Sequence, residues 1–201
     1  MKRKWLLSIP AAVAAVLFSL NAGAQATPDS GSTAPANPPT YNWNAFVGGA
    51  YTSINQVNQS RYGLIGVDMS ITRDWGRFFG LTADGAFYPH SLNTGNPGKP
   101  NVEMVLFGPE VHGHIFDQWT VFAHALLGGI HTGGESMEPK VSFAGGGGAG
   151  LEYEVNPRWA IRAYGDDIAS AFTVRNNSPA LGYSPHTRRN SRAGIGVVYH
   201  F

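Results

Sequence analysis

The sequence predicts an all-β chain closed into an eight-stranded antiparallel up-and-down transmembrane barrel, and three observations carry that prediction. Eight segments alternate apolar and polar residues with a period of two, as strands with one apolar face do. Their connections alternate between tight turns and longer polar loops, matching the two ends of a spanning barrel. The last strand, 191–201 (SRAGIGVVYHF), sets Ala193, Ile195, Val197, Tyr199 and Phe201 against Arg192, Gly194, Gly196 and His200, and stops at an aromatic. The apolar face of such a strand suits lipid rather than a protein core.

The chain opens with Lys2, Arg3 and Lys4, an apolar run from Trp5 to Leu20, and small residues at Ala24 and Ala26. That is the pattern of a secretory signal peptide over 1–26, cleaved after Ala26. Residues 27–40 (TPDSGSTAPANPPT) lack any apolar pattern and read as a disordered Pro/Ser/Ala-rich linker. The barrel domain is expected over 41–201.

The first strand, 43–53, carries Ala45, Val47, Gly49 and Tyr51 on one face. The second, 62–72, sets Ile65, Val67, Met69 and Ile71 against Leu64, Gly66, Asp68, Ser70 and Thr72. In the third, 78–88, Phe79, Leu81, Ala83, Gly85 and Phe87 oppose Gly80, Thr82, Asp84 and Ala86. The fourth, 104–116, sets Val105, Phe107, Pro109, Val111 and Ile115 against Glu110, His112 and His114. The fifth, 121–131, opposes Ala123, Ala125, Leu127 and Gly129 to His124. The sixth, 141–155, turns Phe143, Ala149, Leu151 and Tyr153 outward and Glu152 inward; the seventh, 160–172, turns Ile161 and Ala163 outward and Arg162 and Tyr164 inward.

Two positions strain this pattern. Pro109 forfeits a ladder hydrogen bond, so it belongs at a bulge or a locally unpaired site. Strict alternation also turns either Asp166 or Asp167 toward lipid, which a bulge would relieve.

Residues 72–77, 117–120 and 156–159 are tight connections, whereas 54–61, 89–101, 132–140 and 173–190 are longer and rich in Gly, Pro and Asn. The tryptophans beyond the leader, Trp43, Trp75, Trp119 and Trp159, all fall at strand ends on the tight-turn side, with Tyr199 and Phe201. They form an expected aromatic girdle at the periplasmic lipid–water interface.

Composition excludes several function classes. Cysteine is absent, which rules out disulfides, thiolate metal sites and thiol catalysis. Without the three basic residues of the leader, 11 basic residues face 13 acidic ones, so no positive excess points to nucleic acid. Beyond the leader no run of about 20 apolar residues offers a transmembrane helix.

FVGGAYTS (46–53), GLTADGAFY (80–88), LFGPEVHGHI (106–115), FAHALLGG (122–129), WAIRAYGDD (159–167) and the terminal VVYHF, in this order and spacing, resemble small OmpA-like outer-membrane β-barrel proteins that occur as stand-alone barrels. The resemblance covers about 41–201 and implies an eight-stranded outer-membrane barrel without implying one activity. The chain departs from full-length OmpA in having no peptidoglycan-binding domain after the barrel.

The inward faces collect Asp68, Asp84, Glu110, His112, His114, His124, Glu152, Arg162, Arg192 and His200. An eight-stranded barrel is just wide enough for side chains to fill it, and charges buried there must pair. A polar plug of salt bridges is therefore expected. Glu110, His112 and His114 on one strand face, beside His124, carry metal-ligating groups, but alternate residues lie about 7 Å apart, so no metal site and no cofactor is assigned.

His90-Ser91, the 184–186 region and Asp166 or Asp167 hold the residue types of a lipid A-modifying barrel enzyme. They lack a Ser–His–acid arrangement on strands, and the chain is read as non-enzymatic. The glycines at 145–148 lack the Lys-Ser/Thr of a phosphate loop. Arg175, Arg188 and Arg189 make the last loop basic and are candidates for lipopolysaccharide contact.

The expected function is that of an integral outer-membrane barrel, monomeric, with a structural, envelope-integrity or surface-interaction role. The alternatives are a narrow pore for small or apolar solutes and a lipid A-modifying enzyme. Expected partners are outer-membrane lipid and lipopolysaccharide, with the barrel-assembly machinery and periplasmic chaperones during biogenesis, and no nucleic acid.

Overall fold

Eight long strands follow one another along the chain: β1 (Trp43–Asn55), β2 (Arg61–Trp75), β3 (Phe79–Ser91), β4 (Pro100–Phe116), β5 (Trp119–Gly134), β6 (Lys140–Asn156), β7 (Trp159–Phe172) and β8 (His186–His200). This computed structural model describes residues 41–55, 61–92, 100–134, 140–172 and 186–201. The expected leader (1–26) and linker (27–40) lie outside them.

Each strand pairs antiparallel with the next, and β8 returns to β1, so the sheet is a closed barrel without an edge. Closure satisfies every ladder without a partner chain. At the seam the Trp43 N–H donates to Phe201 O at 3.1 Å and the Phe201 N–H donates to Trp43 O at 2.8 Å. Gly48 faces Gly196 across the same seam. A Cβ on either glycine would overlap the backbone of the other strand, and one on Gly48 would lie 2.6 Å from Phe46 Cζ. This close approach needs the absence of a side chain.

The strands outrun their sequence pattern. β4 begins at Pro100 and β8 at His186, where alternation suggests 104 and 191. Pairing continues as far as Phe172↔His186, because ladder hydrogen bonds need only backbone. The β2–β3 turn contains Gly76 at φ 78°, a left-handed conformation that glycine adopts without a Cβ penalty.

Pro109 sits where its missing N–H is tolerated. Pairing with β5 passes from Phe107↔Leu127 to Glu110↔His124 in constant register, so Gly108 and Pro109 drop out of that ladder. The bulge suggested for β7 is absent near Asp166 and Asp167, where the register runs without a shift on both sides. Strict alternation holds there instead: Asp166 is buried, and Asp167 lies on the outer face in an ion pair with Arg189.

The outer face is apolar and uncovered. Val47, Ile65, Val105, Phe107, Val111, Leu127, Phe143, Ile161 and Ile195 are all exposed, the last at 62%. A water-soluble monomer rarely leaves more than a few hundred Å² of contiguous apolar surface bare, so this belt calls for a hydrocarbon surround.

The lumen is filled in two different ways. Toward the short turns it holds a charged network. Toward the long connections, Ile54, Leu64, Tyr88, Val102, Leu106, Leu126, Ile130 and Ile168 form an apolar cluster, each no more than 2% exposed, with Thr52, Thr132, Ser170 and Asn190 buried beside it. The expectation of a polar plug accounts for only the first part. Near the long connections the polar contrast inverts, with Asn101, Glu103, His131, Asp167 and Arg189 at outward positions around this apolar interior.

Candidate functional site

The charged part of the lumen is built from inward positions that the register places opposite one another. Glu152 faces Arg162 across β6–β7, Asp166 faces Arg192 across β7–β8, and Glu110 faces His124 across β4–β5. Each pair therefore forms between neighbouring strands before the lumen is crossed.

Arg162 organises the tier nearer the short turns. Its Nε donates to Glu152 Oε1 at 2.5 Å, and its Nη2 lies 3.7 Å from Glu110 Oε1. The Thr82 hydroxyl donates to Glu110 Oε2 at 3.1 Å and meets the Thr72 hydroxyl at 2.8 Å. The guanidinium also stacks 4.4 Å above the Phe122 ring, and Phe46 flanks it at 5.8 Å.

Arg192 organises the second tier. Its Nε donates to Asp166 Oδ2 at 2.7 Å, and its Nη1 and Nη2 grip Asp84 at 2.7 and 3.2 Å. Asp68 Oδ2 lies 3.4 Å from Nη1 and also accepts from the Tyr164 hydroxyl. The planar fork of five donors allows one arginine to serve three carboxylates.

His124 joins the tiers, with Nε2 2.9 Å from Asp166 Oδ1 and Nδ1 3.9 Å from Glu110 Oε2. Between them lies a cavity of about 10 Å³, lined by Asp68, Ser70, Thr82, Asp84, His124 and aromatic rings, with room for about one water. Asp68 Oδ1, buried and without a partner, borders it.

Of the ten inward residues read from the sequence, Asp68, Asp84, Glu110, His124, Glu152, Arg162 and Arg192 meet in this network. The other three do not. His112 lies nearer the short turns, 3.8 Å from Asp74 Oδ1, and Asp74 accepts from Asn44 at 3.2 Å. His114 is half exposed and bonds Thr120 at 2.8 Å. His200 stands apart at the end of β8, with Nε2 buried and unpartnered. His112, His114 and His124 thus take separate partners and do not converge on one point.

Asp166 is the member that sequence reading left unassigned. Its parity with Arg162 and Tyr164 was the available signal, obscured by the adjacent Asp167. Asp74 was likewise missed, because the second strand runs past Thr72 to Trp75.

The aromatic residues gather at the short-turn end. Trp159 lies 4.8 Å from Tyr199, Tyr199 stacks on Phe201 at 6.0 Å, Trp119 lies 5.1 Å from Tyr153, and Trp75 stacks on Phe79 at 6.3 Å. On β7, Trp159 and Asp167 are eight residues apart, roughly 20 Å along a barrel axis at ordinary strand tilt. That is close to the height of a lipid-facing band, so the Asp167–Arg189 pair sits at its far boundary. Arg189 is largely exposed beyond the pair. Arg175 and the Arg188 side chain lie outside the described residues, as do residues 184–185 and the Ser91 side chain. Asp166, engaged by Arg192 and His124, faces the lumen.

A closed eight-stranded antiparallel barrel with a bare apolar belt, an aromatic rim and an ion-paired lumen has the fold of the small outer-membrane β-barrel proteins. Among solved structures, Neisserial surface protein A (NspA) superposes with a TM-score of 0.63 at 10% identity, over 80% of this chain and 97% of that one. Ail, the attachment invasion locus protein of Yersinia pestis, does so with a TM-score of 0.52 at 14% identity, over 81% of this chain and 100% of that one. At these identities the likeness is one of fold. No protein-family model matches the chain, and no curated protein matches it by sequence.

Proposed function

We propose that the chain is an integral outer-membrane protein of the OmpA-like stand-alone type, whose barrel is a non-conducting, non-enzymatic scaffold. It would hold its four long connections at the cell surface for an envelope-integrity or surface-interaction role, with the short turns in the periplasm. The leader pattern over 1–26, the fold of the structural neighbours and the bare apolar belt support the location.

One observation carries the reading of a plugged lumen. Arg192 binds carboxylates from β2, β3 and β7, so a single buried cation ties opposite walls of the barrel together. The packed side chains toward the long connections, apolar apart from Tyr88's hydroxyl, Thr52, Thr132, Ser170 and Asn190, support it further, since they fill the lumen at that end.

Planar-bilayer recording of the purified protein tests this reading. A bilayer that stays at baseline conductance is expected. Discrete, reproducible openings from pure protein would overturn it in favour of the narrow pore. Incubation with labelled lipid A tests the non-enzymatic part, where any change in acyl chains would refute it.

A further inference from the structure

We infer that the cleft beside Arg73, walled by Trp43 and Trp75, binds the headgroup phosphate of an anionic glycerophospholipid in the leaflet that meets the short-turn end. The inference rests on the reading that the barrel spans a membrane.

Arg73 occupies an outward position of β2 at the level of the aromatic rim. The register places Trp43 directly opposite it, and Trp75 follows two residues later on the same face. Its guanidinium carbon lies 5.3 Å from the ring centroid of each indole. Stacked between rings, the guanidinium keeps its N–H edges free for an acceptor in its own plane.

Among the described residues, no carboxylate pairs with Arg73 within 4 Å. At the opposite boundary Arg189 is paired with Asp167, whereas Arg158, at the short-turn end, bonds only the neutral Tyr41 hydroxyl, at 3.2 Å. Arg77, in the turn that follows β2, rests 5.4 Å from the Phe78 ring and likewise has no carboxylate partner among the described residues. The end of β2 and the turn after it thus present two arginines without a direct carboxylate partner at the depth where indoles meet lipid headgroups.

An open cleft of about 460 Å³ lies against Arg73, lined by Asn42, Trp43, Asp74, Trp75, Gly76 and Phe201. The lining includes two carboxylates: Asp74, whose Oδ2 accepts from Asn44 and whose Oδ1 lies 3.8 Å from His112, and the α-carboxylate of Phe201, one oxygen of which accepts from the Trp43 N–H at 3.1 Å. A phosphate takes two parallel N–H bonds from one guanidinium, which makes an arginine between indoles a better match for it than for a neutral polar group. Basic residues near an anionic bilayer surface each contribute about a fivefold preference.

The test uses the full chain in nanodiscs of equimolar phosphatidylglycerol and phosphatidylethanolamine, with native mass spectrometry counting the lipids that remain bound on release. A heat-shift gel on the same samples reads insertion independently. The wild type should retain phosphatidylglycerol about fivefold over its equimolar competitor. Arg73→Gln should abolish the preference, Arg77→Gln should weaken it, and Arg189→Gln at the opposite boundary should leave it intact. Equal ratios in the wild type and Arg73→Gln, with both inserted, would overturn the inference while leaving the membrane reading standing. Equal loss in Arg189→Gln would also overturn it, because the preference would then follow overall charge. A preference that emerges only after removal of residues 27–40 would mean that this segment fills the cleft, and the inference fails. Failure of the wild type to insert overturns the membrane reading and this inference together.

Discussion

His124 Nε2 lies 2.9 Å from Asp166 Oδ1, and through this contact the two arginine-centred tiers of the lumen become one network. The tiers differ in what they can lose. His124→Leu removes one charge-assisted hydrogen bond while Asp166 keeps Arg192 and Glu110 keeps Thr82, so a loss of about 1.5–3 kcal/mol is expected. Arg192→Met removes the cation shared by Asp68, Asp84 and Asp166, leaving Asp166 to His124 and Asp68 to the Tyr164 hydroxyl, and should cost about 3–5 kcal/mol. Urea unfolding in lipid vesicles, followed by tryptophan fluorescence, checks the order; a larger loss in His124→Leu would contradict it.

Adjacent aspartates on β7 provide a second test. Asp166→Asn weakens a buried pair with Arg192 and should cost several times more than Asp167→Asn. The latter touches only an exposed pair with Arg189 and is expected to change stability by under about 1 kcal/mol. Equal effects on unfolding midpoints would mean that the two faces of β7 are assigned incorrectly.

The glycine contact at the seam predicts a sharp positional contrast. Gly48→Val drives a side chain into the backbone of β8 and should prevent closure or cost more than about 3 kcal/mol. At Gly49, where a Cβ meets nothing within 4 Å, Gly49→Ala should be neutral or stabilising by up to about 1 kcal/mol. Folded yield on heat-shift gels separates the two; normal closure of Gly48→Val would refute the close approach.

Deletion of Phe201 removes both backbone hydrogen bonds to Trp43 and the ring stacked on Tyr199. Phe201→Ala removes only the ring. Membrane insertion should therefore fall further for the deletion than for the substitution. A deletion variant that reaches the outer membrane as normal heat-modifiable barrel would sink this account.

Much of the fold was legible because period-two alternation is a direct consequence of strand geometry. Ile65, Val67, Met69 and Ile71 fall on one face in any extended conformation, whatever the rest of the chain does. The lumen set was legible for the same reason: Asp68, Asp84, Glu110, Glu152, Arg162 and Arg192 interrupt apolar stretches at inward positions. What escaped was residue-level detail where the contrast disappears. Ile54, Leu64, Val102 and Ile130 lie in or near segments that read as loops or strand ends, so the apolar interior at that end could not be separated from its surroundings. Asp166 was hidden by Asp167, since one alternation admits only one of them inside and parity alone had to choose.

Alternation, turn spacing and the placement of Trp43, Trp75, Trp119 and Trp159 determined the strand number, the antiparallel order and the end at which the aromatics gather. These depend on backbone periodicity, which is local. Only the closed barrel decided which charges meet. Arg192 reaches Asp84 across 108 positions of sequence, and Arg73 comes to lie between two indoles through the pairing of β1 with β2. Both contacts depend on register and curvature, and these become definite when β8 pairs with β1.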